Sequence, residues 1–286
     1  MTHAARRFAA VLAVAGLAAG CRAGPDSRSS SADVAPITAQ EVAGLGYTHL
    51  LLVAGVPQQQ SGDAGAPQYV FLEGDGRPWS SDGTEPSTDP DPVRAVAREL
   101  AAAEGSGALV LGRPCYHDRA RDPGCGPALW TSGRYSEPVV ASMAAALERA
   151  LETRPARPVV LVGYSGGGPL ALLIADRVPV VQGVVTLAAN LDLAAWTTLH
   201  RYQPLDGSLD PLATRSLPRG CEIHIAATED AIVPPTLIAA AADRRPGAIF
   251  WVESDADHTC CWRARWPAIA GRVSAQLRSA GCLGTS

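Results

Sequence analysis

The chain has 286 residues and is 47% hydrophobic, which is enough for a large core and as compatible with one α/β domain as with two smaller ones. Its formal charge is −4, with 24 Lys and Arg against 28 Asp and Glu. So small an imbalance offers no basic face of the kind nucleic acid requires, and it excludes nucleic acid as the main partner.

The N-terminus reads as an export signal. Arg6 and Arg7 form a positive start, and Phe8 to Ala19 form an apolar stretch too short to span a bilayer as a stable helix. Ala18-Ala19-Gly20-Cys21 resembles a bacterial lipoprotein cleavage box, with Ala18 where Leu is usual. The expectation is a lipoprotein signal over residues 1–21, lipidation at Cys21 and a flexible Ser/Ala/Pro-rich tether over residues 22–45. A globular domain over residues 46–286 would then be exported and lipid-anchored to a membrane, on the periplasmic or outer-membrane side. An ordinary secretory signal, with Cys21 incidental, is the alternative.

Beyond Cys21, six cysteines in an exported chain suggest disulfides. Cys115 and Cys125 flank a Pro/Gly-rich loop and form the natural local pair. The partners of Cys221, Cys260, Cys261 and Cys282 stay open. No Cys-x-x-Cys spacing occurs, which argues against structural zinc.

Tyr47 to Ala54 and Gln68 to Leu72 are apolar runs that read as strands, able to pair as a hairpin. Glu73-Gly74-Asp75-Gly76-Arg77-Pro78-Trp79 follows directly. It holds the place of the His-Gly-Gly-Gly-type loop of lipases and esterases, where a backbone N–H completes an oxyanion hole. By that alignment the Asp75 N–H is the first candidate donor, the Gly74 N–H the second, and the Gly166 N–H the partner of either. A plain turn would use the same residues. Trp79 either walls a pocket or packs.

Asp91 to Ala103 has helical spacing, Gly107 to Leu111 is a strand, and Gly112 to Gly133 is irregular. Ser136 reads as the N-cap of a helix running to about Thr153. Next comes Pro158 to Val162, a short β-branched run, then Gly163-Tyr164-Ser165-Gly166-Gly167-Gly168, then an apolar run that starts with Pro169 in a first helical turn. Strand, Gly-x-Ser-x-Gly turn and helix make a nucleophile elbow, which lifts the Ser165 hydroxyl above the sheet edge at a helix N-terminus. Strands at Gly183 to Leu187, Glu222 to Ala227 and Ala248 to Val252 lead to a closing helix, Trp262 to Ser279. The alternation predicts an α/β fold with a mostly parallel central sheet, helices on both faces and a small insertion.

Two further residues complete the chemistry. Asp230 lies just past the strand Glu222 to Ala227, in Asp-x-x-Val-Pro, with Glu229 as the alternative acid. His258 lies past the next strand, on a loop, as a base should. Its neighbour Asp257 cannot face the same ring and reads as solvated or capping. His49 and His224 fall inside strands and read as core or edge residues. The order Ser, acid, His suits a triad in which Ser165 attacks a carbonyl, His258 relays the proton and Asp230 holds the imidazole. No metal or cofactor is needed.

Taken together, Glu73-Gly74-Asp75-Gly76 with Pro78-Trp79, Gly112-Arg113-Pro114-Cys115, the elbow, Asn190-Leu191-Asp192 with Trp196, and Asp257 to Trp262 resemble a bacterial group of exported α/β-hydrolase-like proteins. The resemblance covers most of Tyr47 to Cys282. It implies an α/β-hydrolase fold and a serine hydrolase, acting on a small-molecule or lipid ester, without naming the substrate. Peptidase, thioesterase and acyltransferase activities use the same triad, and a non-catalytic binding lipoprotein could keep the fold. Asn190 to Gly220 sits where such proteins insert a cap. Its Trp196, His200 and Tyr202 either line a substrate pocket, with Tyr164, or pack the insertion.

Overall fold

The computed structural model describes residues 36–55 and 66–283. Cys21, the signal and most of the expected tether lie outside them. The tether does not reach residue 45, because Ile37–Ala43 form a strand, β1. Its sequence, Ile-Thr-Ala-Gln-Glu-Val-Ala, leaves most of its side chains exposed, with Thr38, Gln40 and Glu41 among them, as suits an edge strand.

β1 pairs antiparallel with β2 (Thr48–Ala54), and β2 pairs antiparallel with β4 (Ala108–Leu111). The expected hairpin of β2 with β3 (Gln68–Leu72) is not formed. β3 pairs in parallel with β4 on one side and β5 (Val159–Tyr164) on the other. Val70, Phe71 and Leu72 have no exposed surface, so β3 needs a covered, central place and β4 separates it from β2. The sheet continues in parallel through β6 (Val181–Leu187), β7 (Glu222–Ala227) and β8 (Ile249–Glu253), giving eight strands in the order β1-β2-β4-β3-β5-β6-β7-β8.

Helices cover both faces. α1 (Val96–Glu104) lies against α6 (Trp262–Ser279), whose Trp266 meets the rings of Tyr69 and Phe71 edge-on. α2 (Glu137–Glu152) lies against α3 (Gly167–Ala175), which packs on β5 and β6. α1 starts later than its periodicity suggested. Asp91 is held in an extended lead-in, its side chain accepting from the His117 N–H at 2.6 Å and its carbonyl from Arg77. The insertion after β6 contains α4 (Leu193–His200), with Asp192 as N-cap, and α5 (Pro235–Asp243) follows β7.

Cys115 and Cys125 are joined, with Cα atoms 5.6 Å apart. Cys221 at the foot of β7 is joined to Cys282 beyond α6, and Cys260 is joined to its neighbour Cys261. His49 and His224 are fully buried within their strands. Burial lowers the His49 pKa to about 4, so that ring stays neutral, bonded to the Gly112 carbonyl and the Ser142 hydroxyl.

Candidate active site

The parallel strands β3, β5, β7 and β8 all point their C-terminal ends at one edge, and the loops leaving that edge carry the candidate residues. β5 ends at Tyr164, α3 begins at Gly167, and Ser165 lies between them at φ 50°. A serine in that left-handed region is strained, and the surroundings hold it there. Its N–H bonds the Leu187 carbonyl on β6 at 2.8 Å, and its carbonyl accepts from the Gly168 N–H at 2.9 Å. The turn is tight enough to exclude side chains. A Cβ on Gly163 would stand 2.3 Å from the Gly167 carbonyl oxygen, and a Cβ on Gly167 would stand 2.3 Å from that of Leu72. These glycines are therefore a steric requirement of strand and helix passing closely.

The structure brings Ser165, His258 and Asp230 into one relay. His258 Nε2 lies 3.0 Å from Ser165 Oγ, and His258 Nδ1 lies 2.8 Å from Asp230 Oδ2. Asp230 is buried, and its other oxygen accepts from the N–H groups of Ile232 and Val233, each at 2.8 Å. Both oxygens of the carboxylate are thus oriented before any substrate arrives. Glu229 is exposed, and its N–H bonds the Ala256 carbonyl. The base is held through its backbone: the His258 carbonyl accepts from the Tyr164 hydroxyl and the Trp262 indole, both at 2.9 Å. Asp257 caps the next turn, accepting from the N–H groups of Thr259 and Cys260.

Trp196 does both things expected of it. It lines the cleft, and its indole N–H donates to the Ile232 carbonyl at 2.9 Å. His200 bonds the same carbonyl at 2.7 Å, which makes its Nε2 the protonated nitrogen. Insertion and acid loop are thereby tied together. Burial, with the Asp230 charge adding to it, pushes the Tyr164 phenol well above its ordinary range, so it stays a neutral donor to the His258 carbonyl. The cleft over Ser165 has a volume of about 860 Å³, and Trp79, 41% exposed, stands on its wall.

The loop after β3 lies directly against the elbow. A Cβ on Gly74 would be 3.3 Å from Ser165 Cβ. Gly166 stands at the N-cap of α3, where unpaired N–H groups and the helix dipole favour negative charge. Sequence reasoning missed what holds this loop. The Asp75 side chain is mostly covered, 14% exposed, and receives Arg113, Arg134 and Tyr135. Arg113 stood in plain view in Gly112-Arg113-Pro114-Cys115, but nothing local tied it to a residue 38 positions earlier.

Chemically, the arrangement supplies a hydroxyl whose proton has an immediate acceptor, an imidazole whose tautomer is fixed by a carboxylate, and a helix N-terminus directly after the serine. That set can carry acyl transfer through a covalent intermediate.

No family model matches the chain, and no curated protein matches it in sequence. Solved structures do share its architecture. A serine hydrolase without a lid, from Xanthomonas campestris, is 16% identical with a TM-score of 0.56, over 85% of this chain and 94% of that one. An esterase from Pyrococcus furiosus is 14% identical with a TM-score of 0.55, over 86% and 93%. Est1E from Butyrivibrio proteoclasticus is 12% identical with a TM-score of 0.57, over 84% and 99%. The chain has the α/β-hydrolase fold.

Proposed function

We propose that this chain is a serine hydrolase that cleaves a carboxylic ester through an acyl-enzyme, and that it is exported and held at the cell envelope by a lipid on Cys21. The observation that carries the catalytic part is the relay from Ser165 Oγ to His258 Nε2 at 3.0 Å and from His258 Nδ1 to Asp230 Oδ2 at 2.8 Å, on the floor of an open cleft. Ser165 Oγ bonds to the ester carbonyl carbon as His258 takes its proton. The imidazolium, stabilised by Asp230, returns that proton to the departing alkoxide. Water then attacks the acyl-enzyme with His258 again as base. The carbonyl oxygen becomes an oxyanion facing the Gly166 N–H and either the Asp75 or the Gly74 N–H. Trp79, Tyr164 and Trp196 offer an apolar wall for the acyl group. The serine hydrolase and esterases that share the fold support a hydrolase reading.

A fluorophosphonate probe tests it. Ser165 should be labelled, and p-nitrophenyl esters of rising chain length should turn over faster than peptide or thioester substrates. Folded protein that neither labels nor turns over ester would overturn the enzymatic reading. For the anchor, Cys21→Ser should move the protein from the membrane to the soluble fraction; unchanged membrane association would count against it.

A further inference from the structure

We infer that the Asp75 side chain is the positioning group of the oxyanion loop: clamped between Arg113, Arg134 and Tyr135, it sets the backbone donors of residues 74–76 against Ser165. This rests on the hydrolase reading above and gives a side chain a role where only its backbone had one.

The carboxylate is saturated with donors. Arg113 Nη2 bonds Oδ1 at 2.8 Å, Arg134 Nη1 bonds Oδ2 at 2.8 Å, and the Tyr135 hydroxyl lies 2.7 and 2.8 Å from the two oxygens. Asn190 in turn reaches the Tyr135 hydroxyl at 3.4 Å. Burial alone would raise the Asp75 pKa. The Arg134 and Arg113 charges and the Tyr135 hydrogen bond outweigh it and hold the carboxyl below its ordinary range, so the group is anionic.

Arg113 and its neighbour Tyr116 also hold the backbone of this loop. The Glu73 carbonyl accepts from Arg113 Nε and Nη2, each at 3.4 Å, and the Asp75 carbonyl accepts from the Tyr116 hydroxyl at 2.8 Å. A trans peptide is planar, so pinning a carbonyl fixes the next residue's N–H in the opposite direction. The peptides that carry the Gly74 and Gly76 N–H groups are therefore locked. Asp75, held by its side chain and its carbonyl at once, cannot turn the peptide between them over.

The clamp also touches the elbow. A Cβ on Gly166 would fall 2.0 Å from Asp75 Oδ1 and 2.7 Å from the Tyr135 hydroxyl. The carboxylate occupies the space that a side chain at 166 would need, so loop and elbow are fitted to each other. A carboxylate so near a developing oxyanion would normally oppose it. Two guanidinium groups on one carboxylate leave a positive surplus, and Arg113, only 2% exposed between the rings of Tyr116 and Tyr135, stays charged because the Asp75 carboxylate beside it outweighs the cost of its burial. Asp75 can position the donors without repelling the charge they receive.

The test is Asp75→Asn in the full chain, assayed on p-nitrophenyl butyrate per active site titrated by burst amplitude, beside inhibition by an alkylboronic acid that mimics the tetrahedral adduct. Losing one oxyanion donor elsewhere costs about 10²–10³ in kcat. The expected result is a fall of about 10² in kcat with KM near the wild-type value, and boronate affinity falling with kcat. A merely structural role would lower the titrated fraction and leave kcat per site unchanged. Tyr135→Phe removes one donor and keeps the ring, and should give the same kcat-only pattern at a few-fold; it decides the matter if Asp75→Asn does not fold. Wild-type kcat per site in Asp75→Asn, or in Tyr135→Phe where only that variant folds, overturns this inference alone. Failure of the wild-type protein to turn over ester overturns the hydrolase reading and this with it.

Discussion

Two loops meet at Ser165, and they are built in opposite ways. The elbow, residues 163–168, is fixed by its immediate neighbours: glycines with no room for a Cβ, and backbone bonds from Ser165 N to Leu187 and from Gly168 N to Ser165. The loop at residues 73–76 has few such bonds of its own. It is held by Arg113, Tyr116, Arg134 and Tyr135, which come from the segment after β4 and the approach to α2. A shape imposed by local sterics leaves a mark in the local sequence. A shape imposed by distant side chains leaves none, since each partner looks ordinary where it stands.

The largest effect should come from the elbow's chemistry. Ser165→Ala should lose on the order of 10⁶ in kcat, and His258→Ala about as much, because triad members act as a unit. Asp230→Ala should lose roughly 10⁴, while Glu229→Ala stays near wild type. Steady-state kinetics per mole of folded protein measure this, and thermal melts should show Ser165→Ala folded. A wild-type rate in Ser165→Ala would remove the elbow from the mechanism. Full activity in Asp230→Ala with loss in Glu229→Ala would move the acid.

The elbow's sterics come next. Gly167→Ala places a Cβ 2.3 Å from the Leu72 carbonyl oxygen, which belongs to the backbone of a central strand and cannot swing away. Overpacking of that kind costs about 3 kcal/mol. Urea denaturation should show it as a lower midpoint at unchanged slope. If Gly167→Ala were as stable as wild type, local sterics would not be what fixes the turn.

The same contrast explains what could be read in advance. β5 and β7 were legible because short β-branched runs bounded by Pro, Gly or charge need a buried parallel place. Ser165, Asp230 and His258 were legible because each follows a strand, in an order the sheet edge brings together. β1 was not, since an exposed edge strand needs no continuous apolar run and its mixed, Ala-containing sequence resembles a tether. The β2–β3 hairpin looked natural from adjacency, and only the burial of β3 puts β4 between them. The Asp75 clamp was invisible for the reason given above, and so was the bond from Cys221 to Cys282, which spans 61 positions.

The third effect bears on how the remote segment is itself held. Cys115–Cys125 closes the loop that follows Arg113 and contains Tyr116. Replacing both cysteines by Ser should cost about 2–3 kcal/mol in the loop-entropy account. The kcat loss should be smaller than in Asp75→Asn, because Arg113 keeps its place between the Tyr116 and Tyr135 rings, at 5.7 and 5.5 Å. Differential scanning calorimetry and the ester assay separate the two. A kcat loss as large as that of Asp75→Asn would mean that the disulfide, and not the side-chain clamp, sets the loop.

The smallest effect is a pH dependence that should belong to the loop after β3 and not to the elbow. His117 Nε2 lies 3.1 Å from Glu73 Oε2, next to Gly74, and Asp91 Oδ2 is 3.8 Å from Nδ1. Burial lowers the His117 pKa, but the hydrogen bond and charge of Glu73, with Asp91 behind them, outweigh it and raise the pKa above its ordinary 6.5. A histidine raised on folding binds its proton more tightly in the native state. Its contribution is therefore complete below about pH 6.5 and is lost as pH rises through the folded value. One such ion pair, net of desolvating both partners, amounts to on the order of 1 kcal/mol. Wild type and His117→Asn should accordingly differ most in urea stability at pH 6 and converge towards pH 9. The elbow variant Gly167→Ala should show a stability deficit that does not change over that range, since no titrating group enters its clash. A His117→Asn difference that grows with pH would show that the imidazole is held neutral against Glu73, and would reverse the sign of the coupling.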